Sequence, residues 1–373
     1  MSVPVTFLVD QLAQGGAERH AVLLANAAGA WDYVIDLVHL KPTDTLRPLV
    51  ARDRVPEVRC LGVRRWFDVG AARRFGRECQ ARDTRVVVSA NPYSTFYAAA
   101  ARELTGARYR LLSTFHTTYL QHWRERLPMP LFAWGMRSAD ALVYMADHQR
   151  RYWQQRGLWA ARQTRIYNGV DTRQFTPEGP HATAPEHWNE GDFVVGVCAG
   201  LRPEKAHSDV LRAVARLRSD GLPARCLFIG DGPERAALER LARELGMEDG
   251  MTITGFQSDV RPWLRLCGAT VLASVTETFS LAALESMALG IPAVMSDVGG
   301  AAEQVVHGTS GMLFEQGNVE QLARCLQTLT DPGARSAMGR AAREVVETRF
   351  SFEGMADGYR ALVDELAALR PGS

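Results

Sequence analysis

Short apolar runs alternate with longer amphipathic stretches along the whole chain, the pattern produced by βα units and a parallel sheet. In the first half, VTFLV (5–9) leads through a Gly-Gly turn into a helix predicted near 16–29. YVIDLVHL (33–40), RVVVSA (85–90), YRLLSTF (109–115) and ALVYMA (141–146) follow as predicted strands, with helical stretches at 94–104 and 128–138 between them. TPEGPHATAPEHWNEGD (176–192) has no periodicity and reads as a linker or a long surface loop. The alternation then restarts: FVVGVCAG (193–200), RCLFIG (225–230), MTITGF (251–256), ATVLAS (269–274) and IPAVMS (291–296) are predicted strands, with helices near 206–219 and 233–245. The pattern predicts an α/β protein of two doubly wound domains that face each other. Ligands bind such sheets beyond the carboxyl ends of the strands, so the loops after the strands are where chemistry is expected.

Composition narrows the partners more than the fold. The chain has 373 residues, room for two cores, with 46% hydrophobic and 23% charged residues, as in soluble globular proteins. A net charge of +1 gives no case for nucleic acid, and no run approaches eighteen apolar residues. The start, MSVPVTFLVDQ, lacks a basic leader region and reads as a first strand. Six scattered cysteines without a CxxC pair point to reduced structural thiols in a cytoplasmic protein, and no zinc-ligand spacing occurs. Of 43 basic residues only Lys41 and Lys205 are lysine.

Five post-strand segments are candidates for chemistry. In VTETFSLAALESMALGIP (275–292), Glu277 falls in the loop after a strand and Glu285 one turn into a helix that ends at Gly290, with Thr278 or Ser280 as cap. Both acids are then placed for one ligand; the alternative is a helix-dipole carboxylate and a solvated one. In GLRPEKAH (200–207), Arg202 and Lys205 lie where a helix start favours anions, so two cations there suit a bound anion as well as they suit plain surface charge. QGGAERH (14–20) offers Gly15 and Gly16 for close backbone approach or for an ordinary turn. GDGPERA (230–236) has Arg235 where a dinucleotide fingerprint needs its third glycine. STFHTTY (113–119) sets His116 at a strand's carboxyl end, as a structural or a functional histidine. No D-x-D triplet is present to clamp a divalent metal.

Two further stretches combine aromatic and basic or apolar residues, RRWFDVGAARRFGRECQAR (64–82) and PLFAWGM (130–136). Each suits contact with an anionic bilayer, and each also suits an ordinary amphipathic helix.

Taken in order, IYNGVD (166–171), GLRPEK, IGDGPER, ITGF, ETFSLAALE and DVGGAAEQVVHGTSGML (297–313) resemble the family 4 glycosyltransferases, retaining nucleotide-sugar enzymes of the GT-B fold. The resemblance implies two Rossmann-like domains about an inter-domain cleft: 1–168, joined by the C-terminal segment 352–373, on the acceptor side, and 169–351 binding the nucleotide sugar. Glu277 and Glu285 become an E-x7-E pair, Glu285 for the ribose hydroxyls and Glu277 for the donor sugar. Backbone around Phe279, Ser280 and Leu281 would hold sugar and diphosphate, Arg202 and Lys205 would grip the diphosphate, and Gly15 and Gly16 would face it. Gly255 and Phe256 would lie against the base, and His116 would serve near donor sugar and acceptor. The implied activity is transfer from a nucleoside-diphosphate sugar to a hydroxyl of a saccharide or lipid-linked acceptor, without metal or other cofactor, in cell-surface polysaccharide or glycolipid assembly. A sugar-nucleotide epimerase, a phosphorylase or a non-enzymatic nucleotide-sugar-binding subunit are the alternatives. Two departures stand out: Thr278 replaces a glycine of the family pattern, and SANPY (89–93) stands where some members carry a histidine-rich motif.

Overall fold

A computed structural model describes residues 3–13, 15–116 and 129–369. Gln14, residues 117–119 of STFHTTY, residue 128 of the predicted stretch 128–138 and the tail 370–373 of the expected C-terminal segment lie outside the described residues. Contacts divide the chain into two units, Met1–Tyr167 with Gly354–Ser373, and Asn168–Glu353.

The first unit is built on a seven-stranded sheet: β1 (Val3–Val9), β2 (Tyr33–His39), β3 (Glu57–Cys60), β4 (Val86–Ala90), β5 (Arg110–Phe115), β6 (Ala141–Tyr144) and β7 (Gln163–Arg165). The order is β3-β2-β1-β4-β5-β6-β7, with every pairing parallel. The second unit has six strands: β8 (Phe193–Cys198), β9 (Ala224–Ile229), β10 (Met251–Ile253), β11 (Ala269–Leu272), β12 (Ala293–Ser296) and β13 (Gly311–Phe314). Their order is β10-β9-β8-β11-β12-β13, again all parallel. The central strands read as unbroken apolar runs because helices cover both faces of such a sheet. Val5, Leu8, Val86, Val87, Leu111 and Leu142 are fully buried in the first unit, as are Val195, Leu227, Phe228, Val271 and Val294 in the second.

In each sheet the chain order reverses once, between β1 and β4 and between β8 and β11. Loops leaving adjacent strands there part to opposite faces and open a crevice at the carboxyl edge. The sequence-predicted strands all form. β3, β7 and β13 were not predicted, since three or four residues such as Gln163–Arg165 carry no periodic signal. β3 earns its place through charge instead: Arg59 and Arg82 bridge Asp36, Glu57 and Glu78 across the sheet edge. The stretch 176–192 is a long surface loop of the second unit rather than the link between units. Arg265 binds the carbonyls of Thr176 and Pro180, and Arg225 binds that of His187.

Candidate functional site

The reversal in the second sheet brings together loops that lie about seventy residues apart in sequence. The loop after β8 carries Lys205 and the loop after β11 carries Glu277; Lys205 Nζ donates to Glu277 Oε2 at 2.9 Å and to Ser274 Oγ at 3.4 Å. Both side chains keep some exposure, 28% for Lys205 and 17% for Glu277, so the pair is reachable by a ligand. The Val275 amide donates to the Glu204 carbonyl at 2.9 Å and ties the two loops at backbone level. Beneath the pair lies a cavity of about 30 Å³ lined by Val197, Cys198, Leu272, Ser274 and Ser280. That volume suits a water and not a sugar, so a larger ligand must sit outside it. Arg202 is brought close to Lys205 in sequence but remains mostly exposed, with Glu204 at 3.9 Å.

The loop holding Glu277 is fixed from several sides. Gly299 has φ +58°, and a Cβ there would stand 1.6 Å from the Glu277 carbonyl oxygen, so only glycine lets the loop after β12 pass. Ser280 caps the helix Leu281–Ala288 by accepting from the Ala283 amide at 3.3 Å. Gln304 then clamps Ser280, accepting from its amide at 2.8 Å and donating to its carbonyl at 2.9 Å. Asn168 Nδ2 donates to the Phe279 carbonyl at 3.0 Å, and the Phe279 ring packs edge-on against Phe350. The Ser280 amide and hydroxyl are therefore committed to holding the loop. Leu281 opens the helix, and Glu285 sits on it buried, 7% exposed, rather than solvated.

The Gly230–Gly232 turn serves packing. A Cβ at Gly230 would meet the Ala199 carbonyl oxygen at 2.1 Å, and one at Gly232 the Leu201 carbonyl oxygen at 2.5 Å. This close approach explains a GxG start without a third glycine. Gly255, φ +71°, bridges Gly230, and next to it Phe256 stands 62% exposed, an aromatic face at the same sheet edge. His207, directly after the lysine loop, is buried with neither ring nitrogen hydrogen-bonded among the described residues. Burial and the neighbouring Lys205 charge push it down to about 4, so it is neutral near pH 7.

The first sheet's reversal is furnished differently. Asp10, at the end of β1, accepts from the Ser94 amide at 2.9 Å; burial first and then the Glu18 charge raise it to about 7. Gly15 caps the helix Gly16–Ala28, and a Cβ at Gly16 would meet nothing within 4 Å. His116 follows β5, with Thr114 Oγ1 at 3.3 Å from its Nε2. Its ring lies edge-on to His20 at 4.7 Å, and His20 Nε2 contacts Met355 Sδ at 3.2 Å. Burial lowers His116 to about 4 and, with His116's charge second, holds His20 well below its usual range. Gly15, Gly16 and His116 thus belong to the first unit, while Arg202, Lys205, Gly255, Phe256, Glu277, Phe279, Ser280, Leu281 and Glu285 belong to the second.

Sequence reading missed Gln304, Asn168, Asp10 and His20. Asn168 and Gln304 lie inside segments singled out as motifs, and Asp10 closes the apolar run VTFLV. Their partners, however, are set by the fold. Among the described residues, no group of three or more His, Cys, Asp or Glu side chains is arranged to hold a metal ion, and no helix is long and apolar enough to cross a membrane.

Two family models match the chain: Glycosyltransferase Family 4 over residues 14–174, and Glycosyl transferases group 1 over residues 181–345. N-acetyl-alpha-D-glucosaminyl L-malate synthase of Bacillus anthracis is 31% identical over 53% of this chain and 52% of its own length. The lipopolysaccharide core biosynthesis glycosyltransferase LpsD of Rhizobium meliloti is 29% identical over 52% of this chain and 56% of its own. The chain thus spans about half the length of these relatives. HepE of Anabaena, solved in complex with UDP, superposes with a TM-score of 0.82 at 19% identity, covering 98% of this chain and all of that one. That likeness establishes the GT-B fold.

Proposed function

The chain belongs to the family 4, group 1 glycosyltransferases, and from that premise we propose that it moves a sugar from a nucleoside-diphosphate sugar to an acceptor hydroxyl with retention of configuration. The observation that carries this reading is the Lys205–Glu277 pair at the reversal of the second sheet. A cation fixed at a strand's carboxyl end meets the negative charge that grows on a departing diphosphate. Glu277 accepts hydrogen bonds from donor-sugar hydroxyls and keeps the Lys205 ammonium oriented. Arg202, exposed beside it, adds a second cation. Phe256 offers its ring to the nucleobase, and Glu285 binds the ribose. The bond from the anomeric carbon to the diphosphate oxygen breaks as the acceptor oxygen bonds to the same face; the acceptor proton leaves with the diphosphate. The charge on the leaving group is met by Lys205 and Arg202, and the reaction needs no metal.

UDP is the nucleotide favoured, since HepE was solved with it. His116, in the first unit, serves the acceptor side. The acceptor is a saccharide or lipid-linked saccharide of cell-surface polysaccharide or glycolipid assembly, met at the cytoplasmic face of a membrane. LpsD's part in lipopolysaccharide core synthesis supports the lipid-linked form.

Thermal-shift titration with UDP, GDP, ADP and their sugar conjugates tests the donor site. A ligand at 100 times its dissociation constant adds about 2.7 kcal/mol of stability. One nucleotide is expected to stabilise the wild type and not Lys205→Ala. If none shifts the midpoint, the diphosphate reading fails.

A further inference from the structure

Two stretches that lie 47 residues apart in the sequence, 64–82 and 130–136, meet on one face of the first unit. Each contributes a helix, Val69–Ala81 and Met129–Arg137, and both pack against the helix Asn91–Thr105. Glycines make the approach close: a Cβ at Gly76 would meet the Ala101 carbonyl oxygen at 2.8 Å, and one at Gly135 the Phe96 Cα at 2.8 Å. At the ends of these helices the rings form one cluster. Trp66 stacks on Phe132 at 6.4 Å and tilts against Phe96 at 5.7 Å, while Phe96 meets Trp134 edge-on at 6.0 Å.

An interior cluster would hide its rings. Here Phe96 and Tyr97 are buried, yet Trp66 is 49% exposed, Leu131 45%, Val69 41% and Trp134 39%. Four large apolar side chains left open on one small face exceed what scattered surface residues account for. The charge around them is mostly positive. Residues 64–77 carry five arginines and one acid, Asp68, whose carboxylate is engaged in capping the helix through the Ala71 amide. Arg64, Arg65, Arg73, Arg74 and Arg77 pair with no acid among the described residues, although the chain elsewhere matches its arginines to carboxylates repeatedly. Unpaired arginine beside exposed tryptophan is the composition of a surface that lies in the headgroup layer of an anionic bilayer: the rings enter the acyl boundary and the guanidinium groups bind phosphates.

The cluster also runs to the sheet's carboxyl edge. The Tyr93 hydroxyl donates to the Trp66 carbonyl at 2.7 Å, and Lys41 Nζ lies 5.0 Å from the Tyr93 ring centre. Tyr93 directly precedes Ser94, whose amide binds Asp10 at the reversal of the sheet.

We propose that this face, formed by Trp66, Val69, Leu131 and Trp134 with the arginines of 64–77, docks the protein on an anionic phospholipid surface and so presents the carboxyl edge of the first sheet to lipid-linked acceptors. The purpose assigned to the surface rests on the lipid-linked acceptor reading; the binding itself does not.

The test is co-sedimentation of the full-length protein with extruded vesicles, without donor or acceptor. One set is neutral phosphatidylcholine; the other includes a minority of phosphatidylglycerol. The wild type is expected to sediment with the anionic set only, and less at high salt. Arg73→Gln with Arg77→Gln, at exposed positions on a helix, is expected to weaken that partition about 30-fold. Leu131→Ser with Trp134→Ser is expected to reduce it further, with melting curves confirming that the variant is folded. The proposal is overturned if the wild type stays in the supernatant, if it binds neutral vesicles equally, or if the double arginine variant binds unchanged. It is equally overturned if ultracentrifugation finds a dimer that Leu131→Ser with Trp134→Ser dissolves, since the face then belongs to a second copy. A protein that binds vesicles yet never transfers sugar refutes the proposed reaction and leaves the surface standing; one that transfers sugar but ignores vesicles does the reverse.

Discussion

The two sheets share one strand order up to the sixth strand and share almost nothing at the point where that order reverses. In the second unit the reversal holds an ion pair within reach of solvent, Lys205 with Glu277, on loops locked by Gly299, Gln304 and Asn168. In the first it holds groups that burial drives toward neutrality: Asp10, His116 and His20. Topology decides where a ligand can lie, and side-chain chemistry decides which charge it can carry. A site of fixed charge suits a diphosphate that becomes more negative as it leaves. A site of neutral, proton-exchanging groups suits a hydroxyl acceptor that must lose a proton.

The sharpest way to break this contrast is to remove the charges of the second unit. Lys205→Ala and Glu277→Ala are each expected to lower turnover by roughly 10²- to 10³-fold, the effect of losing one positioned charge-stabilising group. Melting should change little, since a partly exposed pair contributes about 1 kcal/mol or less. His116→Ala should also slow transfer while keeping the nucleotide-induced thermal shift that Lys205→Ala loses. Donor titrations on the three variants decide it: a lost shift in His116→Ala would erase the division of labour between the units.

Next in size is the backbone that holds the charged pair. Gly299→Ala puts a Cβ into the Glu277 carbonyl at a φ of +58°, so the loop must move. A loss of about 1–3 kcal/mol is expected from strain of this kind, together with most of the activity. Gly16→Ala, where a Cβ meets open space, should leave melting nearly unchanged. Paired urea titrations measure both; equal losses would show that the second loop is no more constrained than the first.

What the sequence made legible follows from the same contrast. Strands with long apolar runs, the Ser280 cap and the C-terminal turn at Gly290 could be read directly, because each depends on neighbours within a few residues. So could the Lys205 and Glu277 loops, as post-strand positions. Their pairing could not, since it depends on β8 lying beside β11. Asn168 and Gln304 were likewise invisible as clamps: each acts on Phe279 or Ser280 across 111 or 24 residues. β7 escaped because Gln163–Arg165 is a strand only by virtue of pairing with β6. The meeting of Trp66 with Phe132 was not foreseeable from two separate amphipathic stretches.

Acid–base behaviour sharpens the comparison at smaller amplitude. Asp10, normally near 3.8, is raised to about 7, so between those values the folded chain keeps a proton the unfolded chain has lost, and stability falls as pH rises. His116 is lowered to about 4 and His20 well below its usual range, so the unfolded chain holds their protons longer and both make stability rise with pH as it approaches 6.5. Asp10→Asn removes the opposing slope. Its stability gain over wild type should grow by about 1–4 kcal/mol between pH 4.5 and pH 7.5, from the size of the shift. A gain independent of pH in melts across that range would mean that Asp10 ionises freely in the fold.

The smallest effect expected is at Ala206, between Lys205 and His207. Its φ of +46° places a Cβ-bearing residue in the left-handed region, at the joint where a short 3₁₀ turn, Pro203–Lys205, passes into the helix His207–Ser219. That conformation costs about 1–2 kcal/mol for residues other than glycine. Ala206→Gly removes this strain and adds back about 0.5–1 kcal/mol of unfolded-chain entropy. A net gain of about 0–1.5 kcal/mol remains by those two figures. Activity separates two uses of the strain. If the alanine only tolerates the turn, the variant melts slightly higher and turns over as before. If the stiff joint holds the Lys205 ammonium against Glu277, glycine loosens it, and turnover falls while stability rises. Steady-state kinetics beside melting curves on Ala206→Gly distinguish the two, and a fall in turnover with acceptor KM unchanged would show that the fixed charge of the second unit depends on a strained backbone.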